Sequence, residues 1–159
     1  MKKANIVTFL NLAVGFLSLY FISINDFFTA SILILAAVLF DYLDGKVARL
    51  LKEESKLGEE LDSLADLISF GVAPAFFVIV LTQNMVVIVL GTFLVFSGAY
   101  RLAKFNLQKI KKFYIGMPIT VNGVAFPVLY FLNANYIVYI VFLVLSIFLM
   151  ASTIKIRKL

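Results

Sequence analysis

Long uncharged runs alternate with short charged segments along the chain. Residues 4–25, 27–40, 67–100 and 113–154 carry no Lys, Arg, Asp or Glu. A helix rises ~1.5 Å per residue and a bilayer core is ~30 Å thick, so about 20 apolar residues make a span. Residues 4–25 therefore predict a first transmembrane helix, and residues 28–50 predict a second after a polar turn at Asn25-Asp26. A third starts at Leu57 or Gly58, beyond a polar loop over 52–56, and runs to about Leu81. The 67–100 run is too long for one span; Thr82-Gln83-Asn84 breaks it, and a fourth helix covers 85–104. The basic segment 101–112 reads as a loop or interfacial piece. The 113–154 run needs two further spans, divided at Asn133-Ala134-Asn135, with Pro118 near and Pro127 within the fifth. Prolines are tolerated in membrane helices where neighbours satisfy the freed carbonyl. The expected fold is all-α: one domain over residues 1–159, a bundle of six transmembrane helices.

Composition supports a membrane setting. The chain has 159 residues, is 63% hydrophobic and 14% charged, and has a mean hydropathy of +1.05. An ordinary soluble domain is about 25% charged. The apolar runs are continuous rather than alternating, which argues against a β-barrel. Lys2 and Lys3 ahead of an apolar run resemble a signal peptide, but the run is long enough to span and no A-x-A site follows it. With six spans, all 14 Lys and Arg fall on the side of the two termini. The positive-inside rule makes that side, and the acidic stretch on it, cytoplasmic in a cell membrane. The net charge of +5 thus belongs to span flanks and anionic lipid, not to nucleic acid. Cys and His are both absent, which removes disulfides, thiolate or imidazole metal sites and a histidine base. Any metal site must use oxygen ligands, and a general base is best sought among carboxylates.

The remaining charge is concentrated in DYLDGKVARLLKEESKLGEELDSLAD, residues 41–66. Asp41, Asp44, Gly45 and Ala48 recur at i, i+3, i+4 and i+7, one helical face; Gly58, Asp62 and Asp66 recur at i, i+4 and i+8. An ionised Asp at membrane depth costs roughly 2.5–3.5 kcal/mol on insertion scales. Four such groups call for a compensating cation, and Mg²⁺, Mn²⁺ and Ca²⁺ all favour carboxylate oxygen. Small residues among the acids leave room for a ligand, and Arg49, one turn away, suits a phosphate. Intramembrane acids also occur in proton relays and cation pathways, so a channel or transporter is the competing reading. On the first helix Asn5, Thr8 and Asn11 recur at helical spacing.

The pattern D-x2-D-G-x2-A-R-x8-G-x3-D-x3-D over Asp41–Asp66 resembles the full signature of the CDP-alcohol phosphotransferase family, matching at all eight fixed positions. The resemblance implies a transferase of phospholipid biosynthesis that acts as a homodimer. It implies two divalent ions held by Asp41, Asp44, Asp62 and Asp66, with Asp66 also the catalytic base toward an acceptor hydroxyl. It implies that Gly45 and Arg49 contact the nucleotide of a CDP-activated lipid, with Ser55, Gly58, Asn5 and Thr8 as further candidates for that pocket.

FGVAPAF (70–76), RLAKFN (101–106) and FYIGMPIT (113–120) resemble the phosphatidylserine synthase branch, with a departure at Thr120, where that branch often has Pro. This implies L-serine as acceptor and CDP-diacylglycerol or CDP-archaeol as donor. Inositol phosphate or glycerol phosphate are the alternative acceptors. Arg101, Lys104, Lys112 and Asn122 are the candidate acceptor contacts, Arg101 foremost for the serine carboxylate. The same basic residues also serve as topology-setting flank charges.

Overall fold

The structure, a computed structural model, describes residues 3–51, 55–108, 113–152 and 155–157. Its described residues form six helical rods: α1 Lys3–Ser23, α2 Phe27–Leu51, α3 Lys56–Thr82, α4 Met85–Gln108, α5 Thr120–Phe131 and α6 Tyr136–Ala151. A two-stranded antiparallel ribbon pairs β1 (Phe113–Ile115) with β2 (Lys155–Arg157). The first four rods are long and apolar enough to cross a membrane, and α5 and α6 are shorter apolar helices. The fold is an all-α membrane bundle, as expected, with the small ribbon as an addition.

The three turns opposite the acidic end share one construction. Asn25, Gln83 and Asn133 each take a left-handed conformation, with φ of 61°, 48° and 50°. Asn tolerates this region better than most side chains. The residue that opens the next helix then caps it. Asp26 accepts from the Thr29 amide at 3.0 Å, Asn84 from Val86 at 2.9 Å and Asn135 from Ile137 at 3.2 Å. Each cap satisfies an amide that has no partner within its own helix.

One expected boundary is corrected, and one open boundary is fixed. The basic segment from residue 101 is helical to Gln108, so α4 runs past Lys104. RLAKFNLQ contains no Gly or Pro and is rich in helix formers, which outweighs its charge. The fifth span, whose start the sequence leaves open, begins at Thr120, just after Pro118. Gly116 has φ +72° and lies against the carbonyls of Leu149, Met150 and Ser152, a fit only glycine allows. Pro118 then biases Met117 away from helix. The chain before it is free to pair with β2.

α3 is not a uniform helix. Residues Leu67–Val72 form a wide π-helical turn, in which the Ala73 amide reaches back five residues to the Ile68 carbonyl. Pro74 has no amide to donate to the carbonyl four residues before it, so the widened turn precedes the proline. Phe70, within this turn, is wholly buried. Gly123 of α5 makes room for it, since any Cβ there would strike the Phe70 ring and Val38. At the far end Phe27, Phe77 and Tyr130 join α2, α3 and α5 in one aromatic cluster, with ring centroids 5.2 to 6.2 Å apart. Large apolar side chains such as Phe16, Leu39, Phe96 and Phe148 are exposed on the outer surface, where a bilayer would cover them.

Candidate functional site

α2 and α3 bring their acidic faces together. Carboxylate oxygens of Asp41, Asp62 and Asp66 all lie within 4.8 Å of one another. Asp66 is buried, and Asp41 and Asp62 are half-buried. Three oxygen donors at this separation fit a hard divalent cation, and no softer ligand competes among the described residues. The like charges of Asp41 and Asp44 act on Asp62, so the cluster is repulsive until something positive joins it. Asp44 stands beside this trio rather than in it. It is 6% exposed, and its carboxylate accepts a hydrogen bond from the Thr8 hydroxyl.

The polar face of α1 forms the third wall. Asn5, Thr8 and Asn11 are all buried. Thr8 reaches Asp44, and Asn11 donates from Nδ2 to Asp66 Oδ1 at 3.3 Å. Asn5 approaches Gly58: a Cβ there would stand 3.5 Å from Asn5 Oδ1 and 3.2 Å from Ser55 Oγ. Ser55 caps α3, its hydroxyl accepting from the Gly58 amide at 3.1 Å. α3 thus opens at Lys56, directly after its cap.

Gly45, directly after Asp44, and Arg49, about one turn further along α2, are both exposed. Arg49 Nε donates to the Gly45 carbonyl at 2.8 Å, which lays the guanidinium along the helix and leaves Gly45 open above it. Lys46 sits over the Tyr42 ring, 4.5 Å from its centroid.

The acceptor candidates separate. Arg101 of α4 is buried at 8% exposure, and its charge acts favourably on Asp66. Lys104, one turn on, lies 5.7 Å from the Tyr100 ring centroid. Asn122 is wholly buried in α5 and donates to Met150 Sδ of α6 at 3.6 Å. Lys112, like Lys52, Glu53 and Glu54 of the expected loop, lies outside the described residues. Asn106 Nδ2 donates to Ser63 Oγ at 3.0 Å and ties α4 to the aspartate half of α3.

Sequence reasoning selects Asn5 and Thr8 but leaves out Asn11 and Ser69. The spacing Asn5–Thr8–Asn11 is the signal for the first, since it places all three on the face that meets α2 and α3. Nothing local marks Ser69, whose hydroxyl donates to the Asn11 carbonyl at 3.3 Å across 58 residues of sequence.

Comparison with known proteins gives a consistent family. The family described as CDP-alcohol phosphatidyltransferase matches residues 1–152. A Helicobacter pylori protein named CDP-diacylglycerol--serine O-phosphatidyltransferase is 36% identical over 138 residues, covering 83% of this chain and 58% of its own. A Methanocaldococcus jannaschii protein of the same name is 36% identical over 152 residues, covering 96% of this chain and 72% of its own. An archaetidylserine synthase of Methanothermobacter thermautotrophicus is 37% identical over 131 residues, covering 79% and 56%. The chain therefore spans little more than half the length of some of these relatives.

Proposed function

The chain belongs to the CDP-alcohol phosphatidyltransferase family, and on that footing we propose that it transfers a phosphatidyl or archaetidyl group from a CDP-activated lipid to the hydroxyl of L-serine. The observation that carries the reading is the meeting of Asp41, Asp62 and Asp66 within 4.8 Å, from two helices, inside the family's signature.

In the proposed reaction the serine oxygen attacks the lipid-side phosphorus. A new phosphorus–oxygen bond forms, the bond to the CMP oxygen breaks, and Asp66 takes the hydroxyl proton. CMP leaves carrying the electron pair of the broken bond. Asp41, Asp44, Asp62 and Asp66 are the proposed holders of two divalent ions, Mg²⁺ or Mn²⁺, with Ca²⁺ as the remaining candidate. When bound, such ions supply positive charge to the pyrophosphate and the leaving oxygen. Thr8 would keep Asp44 oriented through its hydroxyl. Arg49 would release the Gly45 carbonyl and give its fork to a phosphate of the nucleotide. Ser55, Gly58 and Asn5 would border that nucleotide. Arg101, already placed to act on Asp66, is the proposed partner of the serine carboxylate, with Lys104, Lys112 and Asn122 as lesser candidates. We place the acidic end toward the cytoplasm in the cell membrane and expect a homodimer.

The experiment is CMP release by purified protein supplied with CDP-diacylglycerol or CDP-archaeol and Mn²⁺ or Mg²⁺. Serine, inositol phosphate, glycerol 3-phosphate and no acceptor are compared, each with and without chelator. Metal-dependent release with serine alone is expected. Release with another acceptor would move the acceptor assignment, and no release with any of them would remove the reading.

A further inference from the structure

Asp66 occupies an unusual place on its helix. It is the last residue before the π-helical turn Leu67–Val72, where the regular hydrogen-bond ladder of α3 gives way. Such turns occur mostly as single turns inside α-helices, often at functional sites. The Asp66 carboxylate has a hydrogen-bond partner outside α3.

α1 supplies that partner and touches this part of α3 at three points within about one turn. Asn11, wholly buried, donates from Nδ2 to Asp66 Oδ1. Ser69, in the wide turn itself, donates its hydroxyl to the Asn11 backbone carbonyl at 3.3 Å. Gly15, one turn after Asn11, has the Ser69 side chain standing where a Cβ would be. The donating orientation suits an ionised carboxylate, which the Asn11 oxygen would repel. That oxygen itself has no hydrogen-bond partner among the described residues. Asn is also a neutral donor. It orients a carboxylate without bringing a cation that would compete for it, as Lys or Arg would.

We propose that Asn11 is a positioning residue: pinned by Ser69 and Gly15, it aims the Asp66 carboxylate into the aspartate cluster. The proposal rests on the reading of Asp66 as a metal ligand and proton acceptor, and it names the residue that makes both roles reproducible.

The test uses the full chain in detergent or nanodiscs, with Asn11→Ala, Asp66→Asn and the double variant. Two readouts are taken: Mn²⁺ affinity by electron paramagnetic resonance titration, and kcat and KM for CMP release. Asn11→Ala is expected to lower kcat by about 10–100-fold, the usual cost of losing a partner that orients a ligand. KM for the CDP-lipid should change by less than about 3-fold, since nucleotide contacts lie elsewhere. Mn²⁺ affinity should fall as well. In the Asp66→Asn background Asn11→Ala should weaken Mn²⁺ by no more than about 2-fold further, because its effect travels through Asp66. An equal loss in both backgrounds, or an unchanged kcat, would overturn the proposal. If the wild type binds Mn²⁺ but releases no CMP with any acceptor, the proposed reaction fails while the Mn²⁺ cycle still decides the role of Asn11. If Asn11→Ala does not fold, Ser69→Ala takes its place, with a smaller loss in the same readouts expected and no loss overturning the proposal.

Discussion

The two ends of the bundle are built by opposite rules. At the acidic end, helices meet through polar pairs: Thr8 with Asp44, Asn11 with Asp66, and Ser63 with Asn106. The carboxylates of Asp41, Asp62 and Asp66 crowd together there. At the far end, α2, α3 and α5 meet through Phe27, Phe77 and Tyr130, and the turns are closed by left-handed Asn and Gln with capped successors. One end is repulsive and specific; the other is cohesive and generic. A site that must receive charge tolerates repulsion only when a separate region keeps the helices together.

That contrast can be broken from either end. Removing charge at the acidic end gives the largest expected effect. Asp66→Asn should lower CMP release by about 10²–10⁴-fold, the range of a lost acid–base group. The same change relieves repulsion, so in chelator the variant should melt above the wild type; a lower melting temperature would count against the cluster as a strained site. Cutting the cohesive end should do the reverse. Phe77→Ala removes a wholly buried ring and should cost about 3–5 kcal/mol in a reversible unfolding assay, with turnover per folded molecule unchanged. A kcat loss without a stability loss would contradict the division of labour.

Smaller effects sharpen the boundary between the ends. Arg49→Ala should raise KM for the CDP-lipid by about tenfold, the loss of a charge-assisted hydrogen bond of roughly 1.4 kcal/mol or more, with kcat little changed. An unchanged KM would remove its phosphate role. Asp26→Ala should give the smallest change. The Thr29 hydroxyl and then its amide hold the Asp26 carboxylate below the usual range. A lowered folded-state value contributes stability that is present above the unfolded pKa of about 4 and lost as pH falls through the folded one. The variant should therefore melt slightly lower than wild type by the same margin at pH 6 and pH 8, with the gap closing only in strong acid.

Legibility in the sequence followed the same division. The six rods and their three far-end turns are readable because charged segments or short polar breaks (Asn25-Asp26, Thr82-Gln83-Asn84 and Asn133-Ala134-Asn135) interrupt the apolar runs. The aspartate pairs are readable because i, i+3 and i+4 spacing is local. The exact start of α5 is not, since Gly116 and Pro118 sit in an uncharged stretch that no polar break marks off from the helix. The helical extension over 101–108 is hidden for the opposite reason: its charge suggests a loop while its propensity is helical. The π-helical turn is a shift in hydrogen-bond register, to which composition is blind. Asn11 and Asp66 are 55 residues apart, so their bond exists only once α1 and α3 have packed.

The twelve residues of α5 make about 18 Å of helix, against a hydrocarbon layer of about 30 Å. A bilayer of uniform depth cannot match both this rod and the 25-residue α2 that it packs against. Local thinning of a bilayer along α5 would relieve that mismatch at a modest cost per ångström. Such thinning would couple the proposed reaction to acyl-chain length in its surroundings, and the proposed product lipid would join the medium that sets its working conditions.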